Sequence, residues 1–427
     1  MSVKNAIQDM ILWRGLNFLS VFILNVLVAR FFGASDSGTI FFFINNLSLL
    51  ILLLGFSLES GLGFYGASGK ISRSQLGLLA LGWCVLATVI GFFVLSYARS
   101  YFELFPGTDS IAIASGFIIG TLLVTFFSAL FFAQQKFVLP NALSLAVNLV
   151  VIVLFFAGME DWLDDKTLLY AYFGSFLVQG AGMALAYFLS KRVTDVKRSF
   201  NHIIPAIVKY SSVVFLSNLV FFLVYRIDYW FVEIYCSDDE LGNYIQVARI
   251  IQWLLMVPLM ISSVLFPLTA SGSGDAMRPR IILLSRVLLW IYCIISVVIA
   301  AAGRWGFIWL FGETYGYMYP VFLLHIPGLL ALAALYPVSS YNAGIRRVDI
   351  NLQGSLLALA VIVVLNAAFT PAYGIYAASI ASSAGYLVYF VFSIYKFSRQ
   401  SKLTFVEMYS PLKSDFDSLK SILYRRK

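Results

Sequence analysis

Residues 207–235 read IVKYSSVVFLSNLVFFLVYRIDYWFVEIY, and this stretch decides the fold. A helix needs about 20 apolar residues to cross a ~30 Å hydrocarbon core, and this one has them with length to spare. Near its end it also carries Arg226 and Asp228. An ionised side chain at membrane depth costs at least ~2.5–3.5 kcal/mol, so it is kept only against a partner or a watery surface. The stretch is therefore read twice, as a membrane span and as a place where the chain does work.

Working outward, the same pattern recurs. Twelve stretches are long and apolar enough to span: 10–31, 39–63, 76–98, 111–133, 140–158, 168–190, 207–235, 243–268, 281–303, 317–341, 352–370 and 374–397. Composition agrees, with 61% hydrophobic and only 12% charged residues. A soluble domain carries about 25% charged residues. Ten-residue alternating segments of the β-barrel kind are not seen. The reading is an all-α integral membrane protein of 12 transmembrane helices, arranged as two six-helix lobes around a central cavity. The first span has no small-residue cleavage site after a short apolar core, and is read as an uncleaved anchor.

The net charge of +8 is unevenly placed. Loops after even-numbered spans carry twelve Lys and Arg, among them Lys191, Arg192, Lys197, Arg198, Arg346 and Arg347. Loops on the other side carry four, beside acids such as Glu160, Asp161, Asp238 and Asp239. Lys and Arg mark the cytoplasmic side, so both termini are expected there. Orientation and anionic lipid account for the basic loops, and no nucleic acid is implied. The loop at 191–206 suggests an N-terminal lobe over 1–200, a C-terminal lobe over 201–397 and a basic cytoplasmic tail over 398–427. The tail reads as a membrane-surface or unstructured segment.

Two echoes support a repeat. Residues 29–38 and 232–242 each end a span, turn through Ser and Asp, and open the next span at a glycine, Gly38 or Gly242. Val138 and Asn141 before span 5 pair with Val348 and Asn351 before span 11. Matching spans run in the same direction, so the repeat is a parallel one.

Six charges lie four or more residues inside the span ends: Arg14, Glu59, Arg226, Asp228, Arg249 and Arg286. Cations outnumber anions four to two, which suits an anionic cargo. Topology places Arg14 and Glu59 in the cytoplasmic half and Arg226 and Arg249 in the outer half. Arg14 and Glu59 are expected to pair, because two buried charges are tolerable only with partners. Asp228 points away from the face of Arg226 and is read as structural. Arg286 lies near a basic loop and can snorkel to the surface. Polar stripes accompany these charges: Asn25 with Arg14, Asn218 with Arg226, and Gln246 with Arg249. Ser and Asn in such stripes commonly join helices through hydrogen bonds. His325 reads as a hydrogen-bonded packing residue, and Pro258, Pro267, Pro327 and Pro337 as bends in spans 8 and 10.

Enzyme chemistry is not legible. Three scattered cysteines and two histidines offer neither a disulfide framework nor a metal site. There is no phosphate-cradling glycine loop and no outer loop long enough to build an active site. No cofactor is expected, and the protein is not read as an enzyme.

Three segments resemble the O-antigen and capsular-polysaccharide flippases, the Wzx-type branch of the superfamily that includes the multidrug and toxin extrusion transporters. The first is Val28-Ala-Arg-Phe-Phe-Gly33 with Ser37-Gly38, although Thr39 and Ile40 beside the glycine loosen the match. The second is Arg226-Ile-Asp228-Tyr-Trp, continued by Leu241-Gly242-Asn-Tyr244 and Ala248-Arg249. The third is Leu365-Asn366 followed by Pro371-Ala-Tyr373-Gly374-Ile375, Ala377-Ala378, Ala381 and Gly385-Tyr386. The resemblance implies transport of an undecaprenyl-pyrophosphate-linked oligosaccharide from the cytoplasmic to the periplasmic leaflet by alternating access. By that implication Arg14, Arg226 and Arg249 face the pyrophosphate, Asn25, Asn218 and Gln246 meet phosphate or sugar, and Glu59 pairs with Arg14 or carries a coupling ion. A proton or sodium gradient would drive the cycle. Membrane lipids and other polysaccharide-assembly proteins would be its neighbours. The alternative is an ion-coupled multidrug-type antiporter of the same superfamily.

Overall fold

The computed structural model describes residues 3–68, 71–98, 104, 108–190, 203–270, 274–401 and 404–410. The loop segment 191–202 and the end from 411 to 427 lie outside the described residues.

Apolar chain in a hydrocarbon solvent must satisfy its own backbone, which leaves the helix as the local solution for each stretch. The elements are α1 (Val3–Gly55), α2 (Leu58–Ala67), α3 (Arg73–Tyr97), α4 (Ser110–Ala133), α5 (Val138–Met159), α6 (Asp165–Leu189) and α7 (Ile203–Tyr235). They continue with α8 (Asp238–Leu254), α9 (Met256–Leu268), α10 (Gly274–Phe311), α11 (Met318–Gly344), α12 (Val348–Ser401) and α13 (Phe405–Tyr409). A short 3-10 turn, Glu313–Tyr315, precedes α11. Among the described residues, nine helices are long and apolar enough to cross a membrane, or ten if the bent pair α8–α9 is one span.

The expected twelve spans fit once two long helices are divided. In α1 the backbone leaves helical geometry at Gly33 (φ 74°) and in α12 at Gly374 (φ 57°). Only glycine enters that region without strain, so each residue turns the chain where a loop would otherwise be needed. At 1.5 Å per residue, these helices of 53 and 54 residues have well over twice the length of the hydrocarbon core. Large apolar side chains such as Leu86 and Phe93 on α3, or Val150 and Val153 on α5, are exposed and form lipid-facing surface. Trp162, Trp305 and Trp309 are exposed at or near helix ends, as expected of aromatic side chains at a membrane interface.

Two compact units emerge: Met1–Gly33 with Thr39–Leu219, and Ala34–Gly38 with Val220–Lys427. In the first, α4 packs chiefly on α6 and also on α3 and α2. In the second, α11 is the most enclosed span, surrounded by α8, α9, α10 and α12.

The two echoed junctions are built differently. The first is the single-residue turn at Gly33. The second is a capping box, in which the Ser237 hydroxyl accepts from the Glu240 N–H while the Glu240 carboxylate accepts from the Ser237 N–H. The two glycines that mark the echo meet in the second unit. A Cβ on Gly242 would stand 1.8 Å from the Ala34 carbonyl oxygen, and one on Gly38 would stand 2.8 Å from the Gly242 nitrogen. The second echo is structural as well: Val138 opens α5 and Val348 opens α12. Left-handed residues, Gln135 (φ 59°) and Arg346 (φ 64°), turn the chain into each.

Two spans expected as single helices are interrupted. Span 2 breaks at Phe56 and Ser57, both left-handed at φ 52° and 49°. Span 8 breaks at Leu255, with a 40° bend between α8 and α9. The tail also departs from expectation. Residues 398–401 extend α12, and α13 follows as an ordered helix held against α10 and α12.

Candidate functional site

Within the first unit, the polar stripes on α1, α5 and α6 join into one network. The Asn148 amide donates to Ser20 Oγ at 2.9 Å and to Asn17 Oδ1 at 3.3 Å, and the Gln179 amide donates to Asn148 Oδ1 at 3.1 Å. Asn148, Ser20 and Gln179 are buried, so these bonds stitch three helices together where no water can substitute. Asn25 is half-buried and its amide donates to the Val21 carbonyl one turn back, at 2.8 Å. Arg14 is exposed, with its guanidinium 5.4 Å from the Phe18 ring centre.

Glu59 is half-buried in the first turn of α2, directly after the interruption. The expected pairing with Arg14 is not seen: among the described residues no ion pair joins them. Asn218 explains part of the geometry here. Its amide donates to Ser57 Oγ at 3.0 Å, and Phe215 stacks on Phe56 with ring centres 4.8 Å apart. Asn218 is therefore a support for the broken helix, and the sequence offered no signal for that, because neither left-handed residue is glycine or asparagine.

In the second unit, α7 and α8 carry the cationic residues. Arg226 is half-buried, donates to Gln252 Oε1 at 3.5 Å, and lies 5.7 Å from the Phe222 ring centre and 5.8 Å from that of Tyr229. Arg249, also half-buried, interacts electrostatically with Tyr229 and Tyr315. The two guanidinium groups thus share the surroundings of one phenol. Gln246 is buried on the same helix as Arg249.

Asp228 is buried and faces a different set of partners from Arg226. Its Oδ2 accepts from the Tyr244 hydroxyl and, at 2.6 Å, from the Ser382 hydroxyl, tying α7 to α8 and α12. His325 on α11 lies beside this group, with ring centres 5.6 Å from Tyr244, and its Nδ1 donates to the Val321 carbonyl at 3.0 Å. Three tyrosines from α7, α11 and α12 meet as well: Tyr225, Tyr336 and Tyr386. The Tyr225 and Tyr336 hydroxyls are 3.4 Å apart, and the Tyr225 and Tyr386 ring centres 5.7 Å apart.

Arg286 does not snorkel. It is buried, its Nε donates to the Met408 carbonyl at 2.6 Å, and its terminal nitrogen donates to the Glu407 carbonyl at 3.1 Å. The neighbouring Ser285 hydroxyl lies 2.7 Å from that of Tyr409. The cation thus caps open carbonyls at the end of α13. Among the described residues no cluster of three or more His, Cys, Asp or Glu could hold a metal ion.

No protein-family model matches the sequence, and no curated protein matches it. Solved structures do. A multidrug resistance MATE family transporter of the MOP superfamily, in its inward-facing conformation, matches with a TM-score of 0.72 at 14% identity, covering 91% of this chain and 96% of its own. The lipid II flippase MurJ, in an inward closed conformation, matches with a TM-score of 0.64 at 14% identity, over 97% of this chain and 92% of its own. A MOP superfamily transporter from Pyrococcus furiosus, whose binding pocket is described as reversed in polarity, matches with a TM-score of 0.60 at 15% identity, over 93% and 95%. The chain is a multi-pass membrane protein with the fold of the MOP superfamily transporters.

Proposed function

We propose that this protein is a flippase that moves an undecaprenyl-pyrophosphate-linked oligosaccharide, a unit of O-antigen or a related surface polysaccharide, across the inner membrane by alternating access. One observation carries the reading: Arg226 on α7 and Arg249 on α8 both bear on Tyr229, inside helices where a cation is costly. A pyrophosphate repays that cost, because guanidinium forks bind phosphate oxygens through strong, paired hydrogen bonds. Arg14, in the other unit, serves the cytoplasmic end of the path, and Asn25, Asn218 and Gln246 supply neutral donors. A proton or sodium gradient drives the cycle, with Glu59 as the ion-carrying group. A neighbour described as a lipid II flippase supports a lipid-linked cargo in this fold.

The test is a deletion strain complemented by Arg14→Ala, Arg226→Ala and Arg249→Ala variants. Each variant should lose surface-glycan export at normal membrane abundance, with lipid-linked units accumulating on the cytoplasmic face. Full export by Arg14→Ala and Arg249→Ala would sink the assignment.

The second reading is a multidrug-type antiporter, favoured by the higher TM-score of the MATE neighbour. A cationic drug would be repelled by Arg226 and Arg249, so overexpression should leave sensitivity to cationic dyes unchanged. Dye resistance that depends on Glu59 would reverse the ranking.

A further inference from the structure

We infer that Tyr225, Tyr336 and Tyr386 form a sugar subsite beside Arg226, which takes the pyranose ring attached directly to the phosphate. The inference rests on the flippase reading and adds to it the residues that read the carbohydrate.

The three tyrosines come from three helices, α7, α11 and α12, and meet at Tyr225, the residue before Arg226. The Tyr225 and Tyr336 hydroxyls are 3.4 Å apart, the long end of hydrogen-bonding range, so each phenol keeps capacity for another partner. Tyr225 and Tyr336 are half-buried, whereas Tyr386 is buried behind Tyr225 at a ring-centre distance of 5.7 Å. Tyr386 also interacts electrostatically with Asp228, Tyr229, Tyr336 and Arg226, which places the phenols in one neighbourhood with both the carboxylate and the guanidinium. The Tyr229 hydroxyl adds to this wall, being fully buried with no hydrogen-bond partner among the described residues.

The Tyr225 and Tyr336 hydroxyls meet only at 3.4 Å and the buried Tyr229 hydroxyl has no hydrogen-bond partner among the described residues, and a buried polar group left short of partners is costly. A sugar matches what they offer. Its C–H face lies on aromatic rings, its hydroxyls exchange bonds with phenol hydroxyls, and its phosphate falls to the adjacent guanidinium. An aromatic wall alone would equally suit an organic cation, but Arg226 at its edge disfavours one.

The test uses the full-length protein in lipid nanodiscs and two probes, undecaprenyl pyrophosphate and the same lipid carrying one N-acetylglucosamine. The wild type should bind the sugar-bearing lipid about tenfold tighter. The Tyr225→Ala/Tyr336→Ala double variant should erase that preference while holding the sugar-free lipid within about twofold. Tyr225→Phe/Tyr336→Phe keeps ring shape and guards against misfolding, and should give an intermediate preference. Arg226→Ala should weaken both lipids alike. A double alanine variant that keeps the preference, or loses both lipids in parallel while the double phenylalanine variant is normal, overturns the subsite. Equal wild-type binding of the two lipids also overturns it and leaves the headgroup reading standing. Wild-type binding of neither lipid removes both.

Discussion

Asp228 takes both of its hydrogen bonds on one oxygen, from hydroxyls on α8 and α12. Its role is that of a knot among three helices. Asp228→Leu removes the shared acceptor of two buried hydroxyls, which lie 3.3 Å apart so that only one can donate to the other, and should cost about 1–3 kcal/mol, read as a lower melting temperature of the purified protein. Asp228→Asn retains an acceptor and should cost less. Gly242 makes a sharper case, because any side chain there meets the Ala34 carbonyl. Gly242→Ala should destabilise by about 1–3 kcal/mol or prevent folding, since overpacking against backbone cannot relax by rotamer change. Gly116, with open space where its Cβ would be, is the control. Gly116→Ala should be neutral or stabilising by about 0.5–1 kcal/mol, because alanine loses less backbone freedom than glycine in a helix. Equal melting temperatures for Gly242→Ala and Gly116→Ala would contradict the close approach.

At the scale of elements, α13 shows how a short helix is held. Its first turn is closed by a capping box, with the Thr404 hydroxyl accepting from the Glu407 N–H and the Glu407 carboxylate accepting from the Thr404 N–H and hydroxyl. Hydrogen bonds from the Thr404 backbone, then from its side chain, hold the Glu407 carboxyl below the usual carboxylate range. A lowered pKa means that this contribution is complete above the ordinary carboxylate pKa and is lost as pH falls through the folded value. Acidification should therefore lower the melting temperature of the wild type more than that of Glu407→Gln, and identical pH profiles would exclude the cap. Removing residues 402–427 should destabilise the protein, but less so in an Arg286→Met background, because the truncation then takes no carbonyl acceptors from a buried cation. The sequence did not disclose this contact. Arg286 and its acceptors are far apart along the chain, and the acceptors are backbone carbonyls, which no residue type announces. The break at Phe56 and Ser57 was hidden for a related reason, since tertiary contacts from Asn218 and Phe215 hold residues that prefer helical geometry.

For the whole molecule, span positions were legible because hydropathy acts over twenty residues and membrane backbone has no alternative to helix. The turns at Gly33 and Gly374 were legible only as glycines, and the close approach at Gly242 only as an echo of Gly38. Of the charges, Asp228 could be sorted by helical periodicity, whereas pairing across helices could not. Arg14 and Glu59 share a depth in the sequence reading yet form no pair. The orientation proposed from the loop charges has its own test. In a cysteine-free background, single cysteines at Arg346 or Arg347 should react with a membrane-impermeant maleimide only after the cells are opened. Cysteines at Asp238 or Asp239 should react in cells whose inner membrane is intact. The reverse pattern would invert the topology.

Arg286 also sets an order of events during synthesis. The helix that carries it is made and inserted more than a hundred residues before the carbonyls of Glu407 and Met408 leave the ribosome. For that interval the translocon and the surrounding lipid hold the arginine without these two carbonyls. A nascent chain stalled before residue 405 should remain a substrate for membrane quality control, and arrival of the final short helix would mark it as complete.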